Sequence, residues 1–473
     1  MEKRRKFITV IIIIILGIGL IYIVYRFHKA YKNIKGENEK VGYKTPITNI
    51  LTPVFTNGGW KRILIDADIT YTDGAHNIVP YDLDNDGNIE LIANSYRSDK
   101  LLLYKFDRNL YNTSNFSRYV IDFSVGRGIP RKPISKYFKS ILKEKLLRKF
   151  IKGAHYTAIS DINGDGRDDL IVAGDMKRYD VVWYKTPEDI WQISGWEKHI
   201  LYKNDSHRTY HVEAGDIDGD GDQDVVFTTK TDNSIGWLNN NGSPSGWPAT
   251  WIDNNCIRCF NARVADIDKD GQNDIIASED DSVKGGKLHF YRYLNNPILQ
   301  EEWIDHTIVS FQPGHGVSIF EIIDVDNDGD LDIVTGNHQG DVYVLENPYP
   351  HKMLDQWEKY KVTEWTLGSG HDFREIDVGD IDNDGDKDII VADEGQNMII
   401  WYENPGIAFS ENWKPHIIDN SKQYLKWCHF VELGDIDHDG DLDIAVAAAA
   451  SNTFLLYFNN LKREHNNLDS SQK

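Results

Sequence analysis

Cysteine is scarce in this chain. Cys256, Cys259 and Cys428 permit one small disulfide, Cys256 with Cys259 if the chain lies outside the cell, and leave Cys428 single beside His429. Catalytic signatures are missing as well: no nucleophile elbow, phosphate loop or HExxH sequence occurs, so no standard hydrolase chemistry is signalled. There is no broad basic face either, and a net charge of -22 excludes a general nucleic-acid binder.

What is abundant is aspartate in one pattern. DxDxDGxxD recurs seven times, beginning at Asp82, Asp161, Asp216, Asp266, Asp324, Asp380 and Asp435. From the second copy on, the steps are 55, 50, 58, 56 and 55 residues, and only the first, 79 residues, is long. The motifs hold 32 of the 74 acids, more than the net charge of -22, and seven calcium ions would add +14, so the charge balance is explained by metal sites. Acids at positions 1, 3, 5 and 9, with a glycine at 6 to permit a sharp turn, surround a hard cation with oxygen, and Ca2+ fits best. The expected ligands are Asp82, Asp84, Asp86 and Glu90; Asp161, Asn163, Asp165 and Asp169; Asp216, Asp218, Asp220 and Asp224; Asp266, Asp268, Asp270 and Asp274; Asp324, Asp326, Asp328 and Asp332; Asp380, Asp382, Asp384 and Asp388; and Asp435, Asp437, Asp439 and Asp443. An EF-hand needs Glu at position 12, where this chain has Ala93, Val172, Phe227, Ala277, Thr335, Val391 and Val446.

Each repeat reads as four short strands, as in Glu375 to Val378, Asp388 to Ala392, Met398 to Tyr402 and Trp413 to Ile418. The last two recur as a WYxxP sequence (Trp183, Trp401) followed by WxxHI (Trp196, His199; Trp413, His416), whose Trp and His read as packing residues. Four strands per repeat is a propeller blade. The last repeat lacks a fourth strand, while an unpaired one, Trp60 to Ile65, precedes the first motif. The fold class is therefore all-β: a seven-bladed β-propeller over residues 58–460, closed by an N-terminal outer strand.

Residues 7–25 form a charge-free apolar stretch after Lys3, Arg4, Arg5 and Lys6, long enough for one transmembrane helix. No small-x-small cleavage site follows, so it reads as an uncleaved membrane anchor with residues 1–6 as a cytoplasmic tail. Weak calcium sites, with Kd of ~10⁻⁴ to 10⁻³ M, fill outside the cell. That places the propeller on the extracytoplasmic side of the cell membrane, on a tether of residues 26–57, with a disordered tail at 461–473. Between Arg127 and Lys152 ten basic residues and one acid, Glu144, alternate with apolar ones. This insertion in blade 2 reads as a basic amphipathic helix over the upper face or on an anionic surface.

The repeated motif between two short strands, often introduced as Gly-Asp-Ile-Asp (Gly215, Gly379, Gly434), resembles the FG-GAP/VCBS repeat propellers, a superfamily that includes the integrin α-subunit propeller. The resemblance implies Ca2+ in the loop joining the first two strands of each blade, on the lower face, and ligand binding on the upper face. The Phe-Gly and Gly-Ala-Pro signatures are absent, and Asn163 and Glu90 depart from the motif.

Histidine is concentrated where the upper face is expected. Seven of the 16 lie five to ten residues before a motif: His76, His155, His207, His211, His315, His371 and His429. Arg263, Arg374, His338, Asp175, Lys177, Arg178, Glu279, Asp280, Asp393 and Glu394 fall on the same face. Such a ring can bind a metal, shuttle protons or hydrogen-bond a polar ligand, and a zinc site combining histidines with Cys256 and Cys259 is one form of it. Two readings follow. One is a binding or adhesion module for a glycan or protein. The other is a carbohydrate lyase or dehydratase with His315, His371, His155, His211 and Arg374 as first candidates and an additional transition metal in the funnel. A funnel plugged by apolar side chains would favour neither.

Overall fold

The computed structural model describes residues 43–46, 54–56, 59–98, 100–105, 116–122, 153–175, 181–203, 209–281, 283–351, 355–362, 370–410 and 412–461. The expected anchor at 7–25, most of the tether, the insertion at 127–152 and most of the tail lie outside them. Among the described residues no helix is long and apolar enough to cross a membrane.

Seven antiparallel sheets are arranged as seven blades. Blade 6 shows the plan: Phe373–Gly379, Asp388–Asp393, Met398–Glu403 and Lys414–Asp419 pair in chain order. The innermost strands of blades 1 to 7 are Ala75–Tyr81, Gly153–Ser160, Thr209–Gly215, Cys259–Ala265, Val317–Ile323, Phe373–Gly379 and Cys428–Gly434. Ring closure follows the sequence expectation, since Lys61–Asp66 pairs with Thr453–Phe458 as the outer strand of blade 7. Two further strands come from the stretch read as a tether. Tyr43–Pro46 adds to the edge of blade 1 beside Ser117–Asp122, and Val54–Phe55 adds to blade 7. Ladder bonds are made by backbone, so a polar segment without apolar period can still cover an exposed edge.

Each second strand is buried on both faces, and its alternation divides it between two neighbours. Ile389 and Val391 belong to the cluster shared with blade 5, whereas Ile390 and Ala392 belong to the one shared with blade 7. In this way seven apolar clusters form, one for each contact between adjacent blades. Trp413 and Trp196 fill them with their indole N–H donated to the carbonyls of Ala408 and Ile190. His199 and His416 stack on Trp183 and Trp401 with ring centroids 4.5 and 4.4 Å apart. These four side chains pack the blades.

Polar stitches join the same interfaces. Just after the third strand, Asn240, Asn347 and Asn459 donate side-chain N–H to the carbonyls of Ile162, Ile267 and Ile381 in the preceding blade's loop, at 2.9, 3.2 and 2.7 Å. At the opposite end, Asn233, Asn397 and Asn452 accept the backbone N–H of Arg258, Trp427 and Gly74 in the following blade, at 2.9, 3.0 and 2.8 Å.

Candidate functional site

The motif loops share one construction. The glycine at position 6 has φ between +78° (Gly87) and +102° (Gly385), a region an L side chain avoids, and position 4 is also left-handed in every copy, as at Asn85, Lys269 and His438. That turn delivers the glycine N–H to the first Asp, from Gly87 to Asp82 at 2.9 Å through to Gly440 to Asp435 at 3.2 Å. The ninth residue is held from behind. Asp388, for example, accepts the N–H of Ile381 on one oxygen and that of Asn404 on the other.

Acids thus converge at ligating distance in Asp82, Asp84, Asp86; Asp216, Asp218, Asp224; Asp266, Asp268, Asp274; Asp324, Asp326, Asp332; and Asp380, Asp382, Asp388. Several of their buried oxygens have no protein partner: Asp84 Oδ1, Asp218 Oδ1, Asp266 Oδ1, Asp380 Oδ1, and in blade 7 Asp435 Oδ1 and Asp437 Oδ1. Burial and neighbouring carboxylates push Asp274 and Asp443 up to about 8 and Asp224, Asp332 and Asp388 to about 7. Burial takes Glu90 to about 8. Crowded, desolvated acids with unpartnered oxygens fit a divalent hard cation, and the all-oxygen donor set fits calcium. Glu90 takes the place of Asp in blade 1 and accepts the N–H of Leu83 at 3.1 Å, but the acids that converge there are Asp82, Asp84 and Asp86.

The funnel lies at the other end of the inner strands, roughly 20 Å away for seven residues at about 3.3 Å each. In all seven inner strands the ladder slips by one residue near its start, for example between Thr209 and Val212 and between Phe373 and Glu375. A bulge there turns two successive side chains inward. The pocket at the throat is accordingly lined from two positions of the repeat. Six residues before the motif stand His76, His155, Tyr210, Phe260, Arg374 and His429; five before it stand Tyr156, His211, Asn261, Ile319, Glu375 and Phe430. The space between them is about 30 Å3, room for one or two waters and not for a sugar ring.

The imidazole of His76 lies between His155 and His429, with centroids 3.9 and 4.2 Å away. Burial, then the two neighbouring imidazoles, holds His76 well below the usual histidine range, and burial followed by Arg263 does the same to His211. Both are neutral at pH 7. His76 Nδ1 and both ring nitrogens of His211 are buried without a protein partner.

Around the throat runs a chain of ion pairs. His338 Nδ1 is 2.5 Å from Asp372 and its Nε2 is 3.3 Å from the fully buried Asp280, which also meets Arg258 at 2.9 Å. Burial opposes a charge on His338, but the two carboxylates outweigh it and raise its pKa. Arg374 continues the chain to Asp372 at 2.8 Å and Glu394 at 3.2 Å, and Glu394 meets His429 at 2.9 Å. His371 is buried against Asp393 at 2.5 Å. His315 lies to the outside, 3.3 Å from Asp341. Lys230 sits over the rings of Phe260 and Tyr210, at 3.9 and 4.6 Å, and Trp427 stands exposed on the rim with Arg97 5.6 Å from its ring centre.

Some expected site residues are placed elsewhere. Arg263 is not on the rim: three residues before its motif, it faces the deeper channel, bonded to Glu321 and to Glu213 at 3.1 Å. The same repeat position supplies Glu213, Glu321, Asp377 and Glu432, so the channel carries an acidic ring around one guanidinium. Cys256 and Cys259 are fully buried in the core between blades 3 and 4, which removes them from the funnel, and Glu279 is committed to His289 and Lys287. His207, Lys177 and Arg178 lie outside the described residues, as does the side chain of Asp175. The aromatic lining residues Tyr156, Tyr210 and Phe260 were not anticipated; their common offset from the motif is the signal that finds them. The lining thus mixes His76, His155, His211, Arg374 and His429 with aromatic and aliphatic side chains.

The FG-GAP-like repeat matches residues 161–227, 216–277, 324–391 and 380–446. No curated protein matches the sequence. Among solved structures, the chain is similar to virginiamycin B lyase from Staphylococcus aureus (10% identity, 85% of this chain and 99% of that one, TM-score 0.48). It is similar also to an Agrocybe aegerita lectin that recognises non-reducing terminal N-acetylglucosamine (19%, 74% and 81%, TM-score 0.41) and to YCF48 from Cyanidioschyzon merolae (13%, 84% and 98%, TM-score 0.44). With matches spanning just over half of its length and the acidic loop repeated in every blade, the chain belongs to the FG-GAP-like repeat family, as a seven-bladed β-propeller.

Proposed function

We propose that this protein is a calcium-stiffened binding module, anchored by residues 7–25 with its propeller outside the membrane, that holds a hydroxylated ligand of glycan type across the funnel mouth. The observation that carries the reading is the fixed ring of polar side chains from Arg258 through Asp280, His338, Asp372, Arg374 and Glu394 to His429. Donors and acceptors held by one another cost little entropy to present, and such a mixture suits hydroxyl groups better than an apolar surface. Trp427, Tyr210 and Tyr96 supply flat faces beside them. Because the throat is small, the ligand lies across the rim with at most one substituent in the pocket.

The test is a glycan array with the full-length chain in detergent and millimolar calcium. A glycan that binds the native protein and binds Trp427→Ala and Arg374→Met at least tenfold more weakly supports the reading. Equal binding by native and variant proteins, or binding of a protein partner alone, contradicts it.

A second reading rests on the unpartnered ring nitrogens of the neutral His76 and His211 in the throat: the unprotonated nitrogen of each imidazole is open to a proton, as a base weakened by burial. It makes the protein a carbohydrate lyase or dehydratase, with the funnel as the place for an additional transition metal. Unsaturated product from a polyuronate, lost in His211→Ala, supports that alternative.

A further inference from the structure

The seven motif loops are not equivalent, and blade 2 departs from the rest in three independent ways. Position 3 is Asn163, and its amide N–H is donated to Asp169, the ninth residue, at 2.7 Å. Lys185, the last residue of the third strand, reaches into the loop, with Nζ 3.0 Å from Asp165 and 3.4 Å from the Asn163 oxygen. Arg167, at position 7, adds its guanidinium to the same Asp165 oxygen at 2.7 Å. The loop therefore holds three carboxylates at ligand positions and two cations of its own. Among the described residues, none of its carboxylate oxygens is buried without a partner.

Comparison with the other blades shows what this replaces. Where blade 2 has Lys185, blades 5 and 6 have Glu346 and Glu403, which add negative charge. Blade 1 has Lys105, but it lies over Trp191, 4.5 Å from the ring centre, and Asp84 keeps a free oxygen. In blade 4, Arg292 meets Asp268 at 3.0 Å, yet Asp266 Oδ1 and Asp274 Oδ2 remain unpartnered. Blade 5 also has no free buried oxygen, but only blade 2 joins that to an amide in the ligand set and two cations on one ligand carboxylate.

We infer that blade 2 takes no calcium: the Lys185 ammonium and the Arg167 guanidinium both occupy Asp165 and offset two of the loop's three ligand carboxylates, so the propeller binds six ions and not seven. The inference rests on the reading of the other loops as calcium sites. The Lys185 ammonium donates to two of the oxygens that a metal would need, and a calcium ion entering would meet two like charges at about 3 Å from its ligands. The loop is also tied to blade 1 without a metal, through the Tyr81 hydroxyl donated to Asp168 at 2.7 Å.

The experiment counts calcium per chain by elemental analysis of the full-length protein after equilibrium dialysis at about 10 mM calcium, with the dialysate's own calcium subtracted, so that sites of Kd ~10⁻⁴ to 10⁻³ M are nearly full. The native protein is expected to hold six. Asp161→Asn leaves that number unchanged, whereas Asp216→Asn in blade 3 lowers it by one. Restoring the motif with Asn163→Asp, Arg167→Asp and Lys185→Glu raises it by one. Seven ions in the native protein, or loss of one in Asp161→Asn, overturns the inference even if the triple variant does not fold. A folded triple variant with an unchanged count also overturns it. Absence of calcium altogether fails the underlying reading instead, so the two failures are distinguishable.

Discussion

Asn397 accepts the backbone N–H of Trp427 at 3.0 Å across the contact between blades 6 and 7. Trp427 has φ +57°, a conformation that glycine would adopt at no cost and that a tryptophan holds only against resistance. The clasp therefore keeps an exposed aromatic side chain on the funnel rim. Trp427→Gly should leave the melting temperature unchanged or slightly higher, while glycan binding falls at least tenfold. Asn397→Ala should cost about 1 kcal/mol of stability, the net worth of one hydrogen bond, measured by denaturant unfolding.

The glycine at position 6 is required by φ and not by space. Gly385, at φ +102°, has no heavy atom near enough to hinder a methyl group except through the backbone conformation itself. Gly385→Ala is expected to destabilise by about 1–3 kcal/mol and to remove one calcium ion. Replacing Asp386, the next residue, by Ala should do neither.

The channel ring makes Arg263 a structural keystone. Glu321 is raised to about 7 and Asp377 to about 6 by burial, with the guanidinium pulling both down. Arg263→Met leaves these acids without it, at an expected loss of about 3–5 kcal/mol. The loss should be smaller at pH 5 than at pH 8, because the abandoned acids can take up protons at the lower pH. Melting curves at the two pH values decide it.

Withdrawal of calcium should reverse the usual acid sensitivity. Asp224, Asp274, Asp332, Asp388 and Asp443 have folded pKa values of about 7 to 8, above the ordinary aspartate range. A raised carboxyl contributes stability below its unfolded value and loses it as pH rises through the folded value. The chelated protein should therefore lose stability between about pH 4 and 8, and the calcium-loaded protein much less. The channel acids titrate in both forms, so the difference between the two melting profiles isolates the loops.

The fold was legible because the loop motif repeats: Asp at position 1, Gly at 6 and Asp at 9 fix the turn and its two flanking strands. The latch was legible from Trp60 to Ile65, whose apolar face needs blade 7. The funnel was legible only in part. Window counting found His76, His155, His211 and His429 but not Tyr156, Tyr210 or Phe260, because the inner-strand bulge that turns two neighbouring residues inward has no sequence signal in a single blade. Arg263 looked like a rim residue from its nearness to Cys259. Its partners Glu213 and Glu321 come from other blades, and only superposing the repeats at one offset brings them together. The ion-pair chain through His338 depends on three blades meeting at the rim, which spacing along the chain does not reveal.

The central claim is that acidic loops on one face stiffen the blades by binding calcium. Sites with Kd of ~10⁻⁴ to 10⁻³ M each add about 1.4–2.7 kcal/mol at 10 mM free calcium. The most direct test is the melting temperature of the full-length protein during a calcium titration after chelation, with magnesium at the same concentration as control. The melting temperature is expected to rise progressively and reversibly with calcium, and magnesium should not reproduce the rise. A melting temperature indifferent to both chelator and calcium would contradict it.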